Sequence, residues 1–171
     1  KYYDFLMFVY HLRNDKFKGY SLKNNLKFIN NIIKKNNINS LIDYGCGKAM
    51  YYSDYPFEKK NLDIFLYDPY FIKYRKLPKK KYEFLICTDV MEHIQKHEIE
   101  DSLIKMDNYS IKNLYFSICT RPAKKLLPDG QNAHVTLMSK QAWIAIIKKN
   151  ISKEKKVYIK FDTDDTIEEI N

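Results

Sequence analysis

Apolar positions along this chain follow two rhythms. Leu22, Leu26, Ile29 and Ile33 recur three and four residues apart among Lys and Asn, which gathers them on one helix face and predicts a helix over residues 22–36. Ser21 is the expected N-cap, Lys34-Lys35 occupy a last turn that favours cations, and Asn36-Asn37 break the helix. A second helix is predicted over residues 95–108, with Ile99, Leu103 and Met106 on one face, and a third follows the cap Ser139 through Trp143, Ile144 and Ile147 to Lys148-Lys149. Between these lie short unbroken apolar runs that read as buried strands: Leu41-Ile42, Ile64-Phe65-Leu66-Tyr67, Phe84-Leu85-Ile86-Cys87 and Leu114-Tyr115-Phe116-Ser117-Ile118-Cys119. Val157, Ile159 and Phe161 alternate with polar residues, as in a half-buried strand at a sheet edge. Residues 1–20 open with an aromatic, apolar segment through Leu12 and end in a polar turn at Gly19; a helix there packs its aromatics on the domain or serves as a lid over the site, and the two are compatible.

Composition narrows the class. With 171 residues, 45% of them hydrophobic, the chain can bury one core, so residues 1–171 are expected to form a single domain with a core over 21–161 and an acidic tail over 162–171. The three cysteines, Cys46, Cys87 and Cys119, form no C-x-x-C and sit in or beside apolar runs, which fits a reduced, cytoplasmic protein. The run Phe5-Leu6-Met7-Phe8-Val9-Tyr10 is too short to span a membrane and carries no signal-peptide cleavage pattern, so no membrane partner is expected. A net charge of +9 raises the question of nucleic acid, but the lysine pairs are scattered and stand mostly at element ends, as on a solvated face. Asp162, Asp164, Asp165, Glu168 and Glu169 reverse the sign at the C-terminus.

The candidate chemistry lies where the strands end. Leu41-Ile42 leads into Asp43-Tyr44-Gly45-Cys46-Gly47-Lys48-Ala49, a carboxylate followed by two glycines one residue apart, which suits a sharp strand-to-helix turn with a ligand against bare backbone. A Cβ at Gly45 or Gly47 would hold that ligand away from main-chain N–H groups, and at a helix start those groups are expected to be free for an anion. Asp68 closes the next strand about 20 residues beyond Gly47, the distance at which such folds keep an acid for ribose hydroxyls. The third strand runs into Thr88-Asp89-Val90-Met91-Glu92-His93.

These residues resemble the class I methyltransferases that use S-adenosylmethionine. Residues 43–49 are similar to their D-x-G-x-G-x-G loop, Tyr67-Asp68 to their second-strand acid, and Asp89-Val90-Met91-Glu92-His93-Ile94 to their D-V-L-E-H-I segment. The resemblance implies an α/β fold with a Rossmann-like, doubly wound, mostly parallel sheet, and S-adenosylmethionine as cofactor. It assigns Asp43, Gly45, Cys46, Gly47, Asp68, Asp89 and Val90 to the cofactor. Ala49 stands where the third glycine belongs, and so little chain separates Asp68 from Phe84 that the usual third strand and its helix must be shortened or missing. The segment Asp129-Gly130-Gln131-Asn132-Ala133-His134 is similar to the D-G-x-N-A-H of small phage and bacterial methyltransferases.

That segment ends a loop over residues 120–134 that follows a strand's C-terminal end, where ligands bind in open α/β sheets. A sulfonium methyl is already activated, so catalysis needs alignment, water exclusion and a base for a hydroxyl or ammonium acceptor. His134 and His93 suit the base by chemistry, with Asp129 to orient an imidazole or an acceptor group, and Arg121 and Asn132 as contacts to a small-molecule acceptor. His93 and His97 lie four apart but lack a clear third ligand, so no metal is expected. Asp68-Pro69-Tyr70-Phe71 has one proline too few for the D-P-P-Y base clamp of DNA amino-methyltransferases, and no Pro-Cys pair exists for cytosine C5 chemistry. A nucleic-acid methyltransferase stands second, and a protein that binds or degrades S-adenosylmethionine without methyl transfer third.

Overall fold

A computed structural model describes residues 2–12 and 17–170 of the chain. Strands β1 (Ser40–Tyr44), β2 (Asp63–Tyr67), β3 (Tyr82–Thr88), β4 (Ser110–Ile118), β5 (Lys156–Phe161) and β6 (Glu168–Ile170) form one sheet in the order β2-β1-β3-β4-β5-β6. The first five are parallel and only β6 runs antiparallel. The helices are α1 (Tyr2–Leu12), α2 (Ser21–Lys35), α3 (Ile99–Tyr109) and α4 (Lys140–Asn150).

Alternate residues of the central strands go to opposite faces, and each face has its own cover. Leu41, Phe84, Ile86 and Tyr115 meet Leu22, Ile29, Ile32 and Ile33 of α2. Ile42, Leu85, Leu114 and Phe116 meet Leu103 and Met106 of α3 and Trp143 and Ile147 of α4. The sheet is therefore covered by helices on both sides, which is why β1 and β3 read as unbroken apolar runs. Each fully buried Leu, Ile or Phe contributes roughly 1.5–3 kcal/mol, so the two clusters hold the sheet plane rigid. The strand order reverses between β1 and β3, and the crevice beyond their carboxyl ends is where such sheets receive ligands.

Several local expectations shift. Ser21 is the first residue of α2 and not its cap; its hydroxyl meets Thr88 Oγ1 at 3.0 Å across the molecule. Ser139 does cap α4, accepting from Ala142 N at 3.2 Å. No α-helix follows the glycine loop, only a 3₁₀ turn over Met50–Tyr52. Among the described residues the link from β2 to β3 holds only another 3₁₀ turn, Ile72–Tyr74, in keeping with the shortening expected there. The strand of Val157, Ile159 and Phe161 is not an edge strand. The acidic tail folds back as β6 and covers it, burying Ile170 while Glu168 and Glu169 stay exposed, and charges on the outermost strand discourage further pairing. Among the described residues no helix is long and apolar enough to cross a membrane.

Candidate functional site

A cavity of about 250 Å³ opens at the carboxyl ends of β1, β2 and β3. Tyr44 and Gly45, Tyr67 and Asp68, and Asp89 and Val90 supply its floor and walls, and His93 stands at its side. Tyr3, Asp4 and Met7 of α1, with Phe17, form the roof. The roof is tied down by polar contacts: the Tyr3 hydroxyl donates to the His93 carbonyl and the Tyr70 hydroxyl to Asp4 Oδ1 at 2.9 Å. Met7 and Tyr10 also pack against Leu127 and Ala133, so α1 is both packed on the domain and laid over the cavity.

The glycine loop departs from the expected anion cradle. Gly45 and Cys46 donate their N–H groups to Tyr67 O at 2.7 and 3.1 Å, Gly47 to Asp68 Oδ2 at 2.9 Å, Lys48 to Phe17 O at 2.8 Å and Ala49 to Cys46 O at 3.0 Å. With every one of these donors used inside the protein and no α-helix behind them, the helix-start anion site does not form. The bare backbone serves close packing instead. A Cβ on Gly45, whose φ is +96°, would lie 2.4 Å from Val90 Cγ2, and one on Gly47, at φ +57°, would lie 2.4 Å from Phe17 O. Ala49, in place of a third glycine, is itself left-handed at φ +50°, a conformation that costs a side-chain-bearing residue on the order of 1 kcal/mol. The Cys46 thiol is buried and pushed up by that burial, so it is no nucleophile.

The three strand-end acids have different surroundings. Asp43 is buried, accepts from the Tyr52 hydroxyl at 2.7 Å, and so ties the turn after the glycine loop to β1. Burial pushes its carboxyl up to about 7, the Tyr52 bond opposes the rise and Asp68 adds to it. Asp68 is clamped from both sides, its Oδ2 by Gly47 N and its Oδ1 by Tyr70 N and Phe71 N at 2.9 and 3.1 Å. Asp89 sits at φ +54° on the concave rim, reached by solvent yet crowded by protein, and accepts from Ser117 Oγ at 2.6 Å. That crowding raises its carboxyl, with Ser117, His134 and Lys160 acting against the rise.

The loop after β4 brings His134 against His93, which follows β3 and alone of the two lines the cavity. Asn132 staples the loop: Oδ1 accepts from Ala123 N and His134 N at 2.9 Å each, and Nδ2 donates to Ala123 O at 3.0 Å. His134 Nδ1 donates to Arg121 O at 2.6 Å and His93 Nδ1 to Ala133 O at 2.7 Å, so backbone carbonyls set both rings and the tautomer in which Nε2 is the acceptor nitrogen. The rings meet edge to face with centroids 4.9 Å apart. Asp129 does not orient either imidazole; it is exposed and its carboxylate holds Gln131 N and Nε2 within the turn. Arg121 does not line the cavity, and its guanidinium pairs with Asp162 at 2.5 Å. Asn132 likewise spends its amide on the loop, and His97 is exposed.

Two groups that the sequence reading left without a role complete the rim. Glu92 is fully buried, accepts from Cys119 N at 3.1 Å through Oε1, and is pushed up to about 8 by burial and by Asp89. Cys119 donates to Asp162 Oδ2 at 3.3 Å, and burial, partly offset by its contact with the Arg121 backbone, leaves the thiol at about 11. An acid at the end of a buried strand run was the available signal for Glu92; nothing local marked Cys119. No family model, curated protein or solved structure matches this chain.

Proposed function

We propose that this protein is an S-adenosylmethionine-dependent methyltransferase acting on a small-molecule acceptor. One observation carries the reading: the three segments that resemble the family's motifs are far apart in sequence, and each sends residues to one cavity at the reversal of strand order, Tyr44 and Gly45 from the first, Tyr67 and Asp68 from the second, and Asp89, Val90, His93 and Ile94 from the third, while Asp43, Cys46 and Gly47 stand behind that lining. The residues suit the cofactor's chemistry. Aromatic rings at Tyr44 and Tyr67 and carboxylates at Asp68 and Asp89 line the cavity, which favours a sulfonium cation. Asp68 would face the ribose side, with its direction fixed by the N–H groups of Gly47, Tyr70 and Phe71. Gly45 and Val90 would border the amino-acid side.

When bound, the cofactor supplies an activated methyl group. The chain's own work is then to align the acceptor, exclude water and take a proton. His93 Nε2 is the proton acceptor of this reading, because His93 lines the cavity and its Nδ1 is committed to Ala133 O. The cavity is slightly smaller than typical small-molecule pockets of about 300 Å³ or more, so a ligand held there would lie close against the α1 roof. Among the described residues that line it, Asp4, Asp68, Asp89, Glu98 and Asp101 stand against one lysine, Lys105, which disfavours a polyanionic acceptor such as DNA or RNA.

Calorimetric titration with S-adenosylmethionine and with S-adenosylhomocysteine tests the reading. Stoichiometric binding of both, lost in Asp68→Ala, is expected; binding of neither removes it. Breakdown of S-adenosylmethionine with no acceptor present would replace it with a degrading activity.

A further inference from the structure

We propose that Glu92, Cys119 and His134 form a binding site for a divalent metal ion of the zinc class, with a fourth coordination position left open to water or a ligand. One oxygen, one sulfur and one nitrogen donor from these residues all lie within 4.8 Å of one another. Ligand atoms around a tetrahedral zinc are roughly 3.5 Å apart, so a small inward shift of the donors closes the set. A mixed carboxylate, thiolate and imidazole set suits zinc or cobalt over magnesium or calcium.

The second observation is the state of Glu92. Its side chain is fully buried, and its Oε2 has no hydrogen-bond partner among the described residues. Ionised, it is a buried charge lacking a cation; protonated, its hydroxyl lacks an acceptor. Either state is costly, and a cation at Oε2 resolves both.

The supporting shell is already in place. His134 donates Nδ1–H to Arg121 O, as metal-binding histidines do through the nitrogen that does not bind, leaving Nε2 for the ion. Glu92 Oε1 is held by Cys119 N, which fixes the carboxylate without using Oε2. Glu92 and Cys119 follow the carboxyl ends of the paired strands β3 and β4, and Asn132 anchors the loop that carries His134. With Asp89 and Asp162 beside the cluster and Arg121 turned to Asp162, the surroundings are acidic. Cobalt or zinc would displace the Cys119 thiol proton. The site does not depend on the methyl-transfer reading, since none of its three ligands is needed to hold the methyl donor.

The test is a titration of the reduced, metal-free chain with Co²⁺ followed by Zn²⁺. Expected are one equivalent of Co²⁺ with a thiolate-to-cobalt charge-transfer band and strong visible ligand-field bands, displacement by Zn²⁺, and indifference to Mg²⁺. Cys119→Ser should abolish the charge-transfer band, and His134→Ala, on the surface loop, should weaken binding at least about 10-fold while the far-ultraviolet spectrum is unchanged. Glu92→Gln should do the same, and His134→Ala keeps the test decisive if that variant misfolds. No cobalt band, or one that persists in Cys119→Ser and so belongs to Cys46 or Cys87, overturns the site.

Discussion

The backbone N–H of Gly47 donates to Asp68 Oδ2 at 2.9 Å, joining the loop after β1 to the end of β2. The same carboxylate holds Tyr70 and Phe71, so one side chain organises the floor of the cavity and the start of the β2–β3 link. Asp68→Ala strands three backbone donors and should cost about 2–4 kcal/mol in urea unfolding, with loss of cofactor binding. An unchanged midpoint would show that the clamp contributes nothing to the fold.

Gly45→Ala meets two obstacles, the positive φ and Val90 Cγ2. Strain and overpacking together should cost about 2–4 kcal/mol. Adding Val90→Ala should recover the steric part and leave the backbone part, a coupling that a double-mutant cycle on thermal or urea unfolding measures.

Asp43 carries the pH prediction. Its folded carboxyl is raised to about 7 by burial, above the ordinary value near 3.8, and its Oδ1 has no partner among the described residues. The folded state therefore binds more protons than the unfolded state between those two values. The contribution is fully present below the unfolded value and is lost as pH rises to about 7, at up to about 1.4 kcal/mol per pH unit. Asp43→Asn, which cannot ionise, should make the fall of urea-derived stability across this window shallower by up to about 1.4 kcal/mol per pH unit, leaving the part that the raised carboxyls of Glu92 and Asp89 contribute; a slope equal to the parent's would sink the assignment.

Asn132→Ala removes the two acceptor contacts that place Ala123 and His134. The loop should lose about 1–2 kcal/mol of local stability, seen as faster amide exchange over residues 121–134, with global unfolding little changed. Global unfolding that drops in parallel would mean the loop is part of the core.

Lys155 and Asp107, on the α3 side away from the cavity, make a mostly buried pair at 2.8 Å, with Ser152 donating to the same carboxylate. Burial raises the Asp107 carboxyl, and Lys155 and Ser152 more than reverse that, so it is lowered overall. Its stabilisation is present above the ordinary carboxylate range and is lost as pH falls through the lowered value. Asp107→Ala should cost about 3 kcal/mol in unfolding at neutral pH and leave ligand binding unaltered.

Much of this architecture was legible locally. The apolar runs named β1 to β4, the alternation of Val157, Ile159 and Phe161 named β5, the 3.6-residue spacing named α2, α3 and α4, and the acids at the strand ends lie on the rim that periodicity and strand order place there. β6 was not legible, because a three-residue strand of two glutamates and one isoleucine has no periodicity of its own and exists only by pairing with β5. The glycine loop misled in one respect: spacing shows that backbone is bare, but not what approaches it. Here Val90 and Phe17 do.

The sequence by itself determined which segments are buried and which carry carboxylates to a sheet edge, because those properties depend on neighbours a few residues away. Tertiary structure alone decided which donors are already spent, which imidazole faces the cavity and which acid is left buried with an unanswered oxygen. Glu92 and Cys119 lie 27 residues apart, and only the parallel pairing of β3 with β4 makes them neighbours. Hydrogen-bond satisfaction and desolvation are sums over everything that packs around a group, and no local stretch of sequence contains that sum.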